Sequence, residues 1–124
     1  MARATLSERD IFEQESLYAH MNLIKTRWEL TDEQLANALG ESVKTIRRWF
    51  KAGRVPNHQS SSLKIISEFF GLAEEVNSLF SNQRTGEVEW LKTTHPLLGK
   101  TPLAFMSENV AGIHNLRCFV GQLP

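Results

Sequence analysis

Between Thr31 and Gly53 the chain spells out two short helices and the turn that joins them, and this segment limits the fold more than any other. Thr31-Asp32-Glu33-Gln34 reads as a capping box: the Thr31 hydroxyl accepts the backbone N–H near Gln34, and the Gln34 side chain reaches back. Leu35, Ala36 and Leu39 form the buried stripe of the first helix. Gly40 ends it, because glycine enters the left-handed region at little cost. Ser42 caps the second helix, with Val43, Ile46, Trp49 and Phe50 inward or partly inward. Lys44, Thr45, Arg47, Arg48 and Lys51 face outward. Gly53 suits the position after that helix, and Pro56 stops the chain from continuing as one.

The spacing Ala36-x3-Gly40-x5-Ile46 is what a helix-turn-helix corner requires. The first helix needs a small residue at the crossing. The turn needs a residue tolerant of positive φ. The second helix needs a branched apolar residue to pin it. Such a corner presents the N-terminal half of its second helix to a DNA major groove. Ser42, Lys44 and Thr45 then lie nearest the groove floor or its edges. Arg47 and Arg48 reach guanine edges or phosphates, and Lys51 and Arg54 reach backbone phosphates.

Charge supports this only when read locally. The 124 residues hold 14 Lys and Arg against 14 Asp and Glu, a formal net charge of zero. Residues 42–54, however, carry Lys44, Arg47, Arg48, Lys51 and Arg54 and no acid. That patch is the electrostatic footprint of a nucleic-acid surface. A basic helix face has a plainer reading, a solvated surface, and the corner spacing is what favours DNA.

The rest of the chain is predicted helical, so the fold class is all-α. Ser7 caps a first helix with Asp10 in its first turn, and Ile11, Phe12, Leu17, Met21, Ile24 and Trp28 supply one or two apolar faces. A fourth helix is expected from about Asn57 to Phe70, broken by Gly71. A short helix with Val76, Leu79 and Phe80 follows, and 81–86 reads as a polar turn. Val88, Trp90 and Leu91 lie on another short helix, Pro102 starts one through Met106, and a last helix covers Asn109 to Val120. The expected division is residues 1–70, a helical domain with the helix-turn-helix at about 31–52, and residues 71–124, a small helical C-terminal domain.

No catalytic constellation is legible: there is no G-x-S-x-G, P-loop or H-E-x-x-H. His20, His58, His95 and His114 are scattered. His114 and Cys118 stand one helical turn apart, but two ligands make no zinc site. Glu74-Glu75 and Glu87-x-Glu89 read as solvated acidic faces. The expectation is a protein that is not an enzyme, with no catalytic residues, metal or cofactor. One cysteine, no apolar run of membrane length and no apolar N-terminal stretch point to the cytoplasm and to no membrane partner. A chain this short gains stability by pairing, so a homodimer is expected.

Residues 88–106 hold a second motif: a helix, a Pro-containing corner and a helix begun by Pro102. Trp90 and Leu91 are expected to pack on Leu97, Leu98, Leu103 and Phe105. A compact structural corner is one reading of this stretch. Trp90-Leu91, then Thr94-x-Pro96-x-Leu98-Gly99, then Thr101-Pro102-Leu103, also resembles the C-terminal signature of the Xre/MbcA/ParS antitoxin family. The resemblance runs from about Leu30 to Val120. His95 and Lys100 depart from the family, which often has Asn and a second Gly there, and both read as exposed turn residues.

The resemblance implies an antitoxin of a type II toxin–antitoxin system. Its C-terminal domain would neutralise a RES-domain, NAD-depleting toxin by blocking the active site. With its toxin it would bind the operon's promoter and repress it. In the last helix Arg117, and beyond it Gln122, are the candidate toxin contacts, while Ile113, Leu116 and Val120 are expected to dock on Trp90 and Leu98. The alternative is a stand-alone helix-turn-helix repressor whose C-terminal half serves for dimerisation.

Overall fold

The computed structural model describes residues 7–57, 60–109 and 111–123, and within them every regular element is a helix. Their order is α1 (Glu8–Arg27), α2 (Asp32–Leu39), α3 (Val43–Ala52), α4 (Ser60–Leu79), α5 (Arg84–Lys92), α6 (Pro102–Ser107) and α7 (Gly112–Gly121). The protein is all-α, as the periodicity predicts. Met1–Thr5, His58 and Val110 fall outside the described residues.

The start signals hold where polar caps define them. The Ser7 side chain accepts from the Asp10 N–H, Thr31 and Gln34 form both halves of the capping box, and Thr101 caps α6 ahead of Pro102. The stops are less faithful. Gly71 does not break its helix: α4 runs on through it to Leu79, so the expected domain boundary at 70/71 falls inside one helix. Backbone torsion did not select this glycine. A Cβ there would lie 2.7 Å from the Arg117 Cζ, so the residue is bare because a guanidinium lies across it. The expected turn at 81–86 is also shorter, with Ser81 and Asn82 at positive φ and α5 already begun at Arg84.

One hydrophobic core joins the two halves. It includes Met21, Ile24 and Trp28 from α1 and its cap, Leu35 and Leu39 from α2, and Ile46 and Trp49 from α3. It continues through Ile66, Phe69, Leu72 and Val76 of α4, Leu91 of α5, Leu103 and Met106 of α6, and Ile113, Leu116 and Val120 of α7. The α7 triplet is buried as expected, but α7 lies mainly against α4 and α6 rather than α5. Leu97, expected in the core, is 79% exposed at the tip of its corner. No helix among the described residues is long and apolar enough to cross a membrane.

A polar seam crosses the same core. Glu87, read from sequence as part of a solvated face, is fully buried. Its carboxylate accepts from Arg27 Nε at 3.1 Å, from an Arg27 terminal nitrogen at 2.5 Å and from the Trp28 indole N–H at 3.1 Å. Burial pushes this carboxyl up; the bonds from Arg27 and Trp28 and the Arg27 charge outweigh it and hold it below the usual 4.5. Arg84 and Lys92 both reach Glu29, and Arg84 also donates to the Arg27 carbonyl. The end of α1 is thereby tied to α5 on the other side of the sequence.

Candidate nucleic-acid interface

The α2–α3 corner is built from the residues the spacing selects. Gly40 sits at φ 71° and its N–H, like that of Glu41, bonds back to the Ala36 carbonyl. Ala36 is 1% exposed and Ile46 fully buried, so the small residue and the branched pin meet in the core. Trp49 is buried too. Phe50 packs edge-on to Tyr18 of α1 at 5.2 Å, with the Lys25 ammonium 5.5 Å from its ring centroid. These contacts set the roll of α3, because one face carries all its large apolar groups.

The opposite face carries the charge. Lys44, Arg47, Arg48 and Lys51 are exposed, and Arg54 is half-buried just beyond the helix. Ser42 caps α3 by accepting from the Thr45 N–H at 3.0 Å, and its hydroxyl also lies 2.9 Å from the Thr45 hydroxyl. These two hydroxyls are pre-ordered at the helix N-terminus, where backbone N–H groups favour anions. The loop carrying Arg54 is held to α1: the Val55 N–H donates to the Gln14 carbonyl, and Gln14, Asn57 and Glu13 form a hydrogen-bonded chain.

The five basic residues are not equivalent. Arg47 Nε bonds Asp32 Oδ2 at 3.2 Å, and Lys25 approaches the same carboxylate at 3.3 Å. Among the described residues no carboxylate lies within ion-pair distance of Lys44, Arg48, Lys51 or Arg54. Burial pushes the Asp32 carboxyl up, but the bonds to Arg47 and Lys25 outweigh it, so its net position is below 3.8. In the sequence Asp32 stands only within the Thr31–Gln34 capping box, with no role of its own. Its position at the start of α2, two turns before the corner, was the available signal, but which cation it would meet depends on the crossing of α2 and α3.

The residues singled out in the C-terminal half are distributed differently. The Arg117 guanidinium bonds Glu68 at 2.8 Å and Glu75 at 2.7 Å, and these carboxylates hold its pKa above the usual arginine value. It therefore fastens α7 to α4. Gln122 is exposed just past α7. His95 and Lys100, read as exposed, are both half-buried: their backbones pair across the corner, and the His95 ring stands edge-on to Phe119 at 4.9 Å. That corner holds Leu97 out into solvent. Trp90 packs against Phe80 at 5.9 Å.

Cys118 Sγ lies 3.7 Å from His114 Nε2 on the outer side of α7. Among the described residues no group of three or more His, Cys, Asp or Glu side chains is arranged to hold a metal ion. No protein-family model matches the chain, and no curated protein matches it significantly.

Proposed function

We propose that this chain is a DNA-binding antitoxin that represses its own promoter from the cytoplasm. The observation that carries the DNA half is the outer face of α3, where Lys44, Arg48 and Lys51 stand exposed with no carboxylate in ion-pair distance among the described residues, while Ile46 and Trp49 anchor the inner face. In this reading α2 and α3 form a helix-turn-helix with α3 in the major groove of duplex DNA. Arg48 reads a guanine edge, and Arg47 joins it after leaving Asp32. Ser42, Lys44 and Thr45 lie at the groove entrance, and Lys51 and Arg54 hold phosphates.

The antitoxin half rests on the family resemblance of residues 90–103. The partner is a RES-domain toxin whose NAD site the C-terminal region blocks. The exposed Leu97, carried on a corner braced by His95, Lys100 and Phe119, supports a protein-binding role for that end. Arg117, engaged with Glu68 and Glu75, serves to set the height of α7, and Gln122 is the freer contact.

Two measurements test the two halves separately. Binding of the full chain to its own upstream DNA, followed by fluorescence anisotropy, should lose sequence preference in Arg48→Ala. An unchanged preference rejects the recognition helix. Co-purification with the product of the adjacent gene, and rescue of growth on co-expression, should fail for Leu97→Glu while DNA binding persists. DNA binding with no toxin partner in any such test favours the stand-alone repressor.

A further inference from the structure

We propose that the cleft between α1 and α4 is a binding site for a free α-amino acid with an apolar side chain. The cleft has a volume of about 440 Å³, within the range of about 300–1,000 Å³ typical of small-molecule sites. Its floor is Trp28 and the Arg27–Glu87 pair, and Asn82, from the turn before α5, stands at its edge. Helix periodicity sets the two walls. Leu23 and Arg27 share a face of α1, and Ala73 and Asn77 share a face of α4.

The polar groups at the floor are fixed in place but not used up. Arg27 donates from Nε and Nη2 to Glu87, and from Nη2 also to Asn82. Its Nη1 is left without an acceptor among the described residues. A guanidinium is planar, so Nη1 shares the edge that faces Asn82, and Asn82 lines the cleft. The Asn82 side-chain carbonyl accepts from both Arg27 and Asn77, which turns the Asn82 NH2 away from both. Ser81 and Asn82 sit at φ 52° and 63°, a conformation that costs a serine and presents the Asn82 amide to Arg27. Arg27 Nη1 and the Asn82 NH2 are therefore unspent donors at one end of the cleft, suited to a carboxylate.

Charge selects a zwitterion over a plain anion. Arg27 and Glu87 cancel at the floor, so an anion alone meets little net attraction. Glu74 lines the cleft from α4, exposed and with no cation in ion-pair distance among the described residues. Its neighbour Glu75, by contrast, is taken by Arg117. Glu74 precedes Asn77 by three residues, about 4.5 Å of helix rise. An ammonium held by Glu74 and a carboxylate held by Arg27 and Asn82 thus fit on one α-carbon.

The walls select the side chain. Leu23, a large hydrophobic left 64% exposed, lines the cleft with the buried Ile24 and the small Ala73. An aliphatic or aromatic group seated there takes Leu23 out of water, and Ala73 leaves it room. His20, its ring stacked on Phe70 at 3.9 Å, bounds the cleft on α1. One bound molecule would tie α1, α4 and the turn before α5 together. None of these residues belongs to the basic face of α3 or to the Leu97 corner, so the site stands apart from DNA and toxin binding.

Isothermal titration calorimetry of the full chain with leucine, methionine and phenylalanine tests the site. Leucine should bind in equimolar ratio. Isocaproate, which lacks the ammonium, and isoamylamine, which lacks the carboxylate, should each bind at least about tenfold more weakly. Glu74→Gln, at an exposed position, should weaken leucine about tenfold and leave isocaproate unchanged. Ala73→Leu should fill the cleft and abolish binding, with circular dichroism confirming that both variants are folded. In heteronuclear NMR spectra the Trp28 indole N–H, bonded to Glu87 at 3.1 Å, should shift on titration while those of Trp49 and Trp90 stay. No binding of any of the three amino acids at up to about 10 mM overturns the proposal. Isocaproate or isoamylamine binding as tightly as leucine reduces the cleft to a single-charge site and overturns the amino-acid assignment. Leucine binding that survives Ala73→Leu, or that leaves the Trp28 indole unmoved, puts the ligand elsewhere and overturns the cleft.

Discussion

Replacing Glu87 by Gln removes one charge from the centre of the molecule with almost no change in shape. The wild-type carboxylate is fully buried and takes three hydrogen bonds, two from Arg27 and one from Trp28. The amide oxygen of Gln can keep the Trp28 bond, but its NH2 then faces the donors of the guanidinium. Removing one partner of a buried pair costs about 3–5 kcal/mol when the other charge is trapped. Here Arg27 keeps a 25% exposed side chain and a bond to Asn82. It can turn partly to water, which places the cost near 2–3 kcal/mol. Glu87→Ala also strands the buried Trp28 N–H and leaves a void, so about 4 kcal/mol is expected.

Urea unfolding followed by circular dichroism measures both free-energy changes, and in thermal melts the Gln variant should lose roughly 6–15 °C in Tm. The pH dependence has a definite sign. The folded Glu87 carboxyl lies below its usual 4.5, so its stabilisation is complete above that value and is lost as pH falls through the folded value. The gap between wild type and the Gln variant should therefore close in acid below about pH 4.5. A Gln variant within about 0.5 kcal/mol of wild type at neutral pH, below the range for charge-assisted bonds, would refute the reasoning.

Asp32→Asn removes the carboxylate that holds Arg47, and exposed pairs of this kind are worth about 0–1 kcal/mol. Operator affinity should rise about two- to fivefold at low salt; affinity that stays level or falls in a titration would show that Asp32 positions Arg47 for DNA. Lys51→Ala should weaken binding evenly across sequences and flatten the salt dependence by about one phosphate contact, a log–log slope change near 0.9. The fourth prediction is a double-mutant cycle. Gly71→Ala gains about 1 kcal/mol of helix propensity but displaces the Arg117 side chain, so alone it should give little or no gain. In an Arg117→Ala background the same change should stabilise by the full ~1 kcal/mol. Equal effects in both backgrounds, read by thermal melts, would show that Arg117 does not set the need for glycine.

Local chemistry made part of this molecule legible in the sequence. The Thr31 capping box, the Ser42 cap, the left-handed Gly40 and Gly53, and Pro102 in the first turn of α6 act within a few residues. The structure realises each of them at its expected place. The same holds for the basic face of α3: an apolar inner side made of Ile46 and Trp49 leaves Lys44, Arg48 and Lys51 only the outside.

What tertiary structure alone decided are pairings between distant residues. Glu87 became a buried anchor because folding brought Arg27 and Trp28, about sixty positions earlier, onto it. Arg117 became a clasp because α4 offers Glu68 and Glu75 across a bare Gly71, a residue that local rules read as a helix stop. Arg47 acquired a counter-charge through the crossing of α2 and α3. A residue's intrinsic preference and its near neighbours are encoded locally. Whether a charge faces water, a partner or the core depends on what the rest of the chain sets against it.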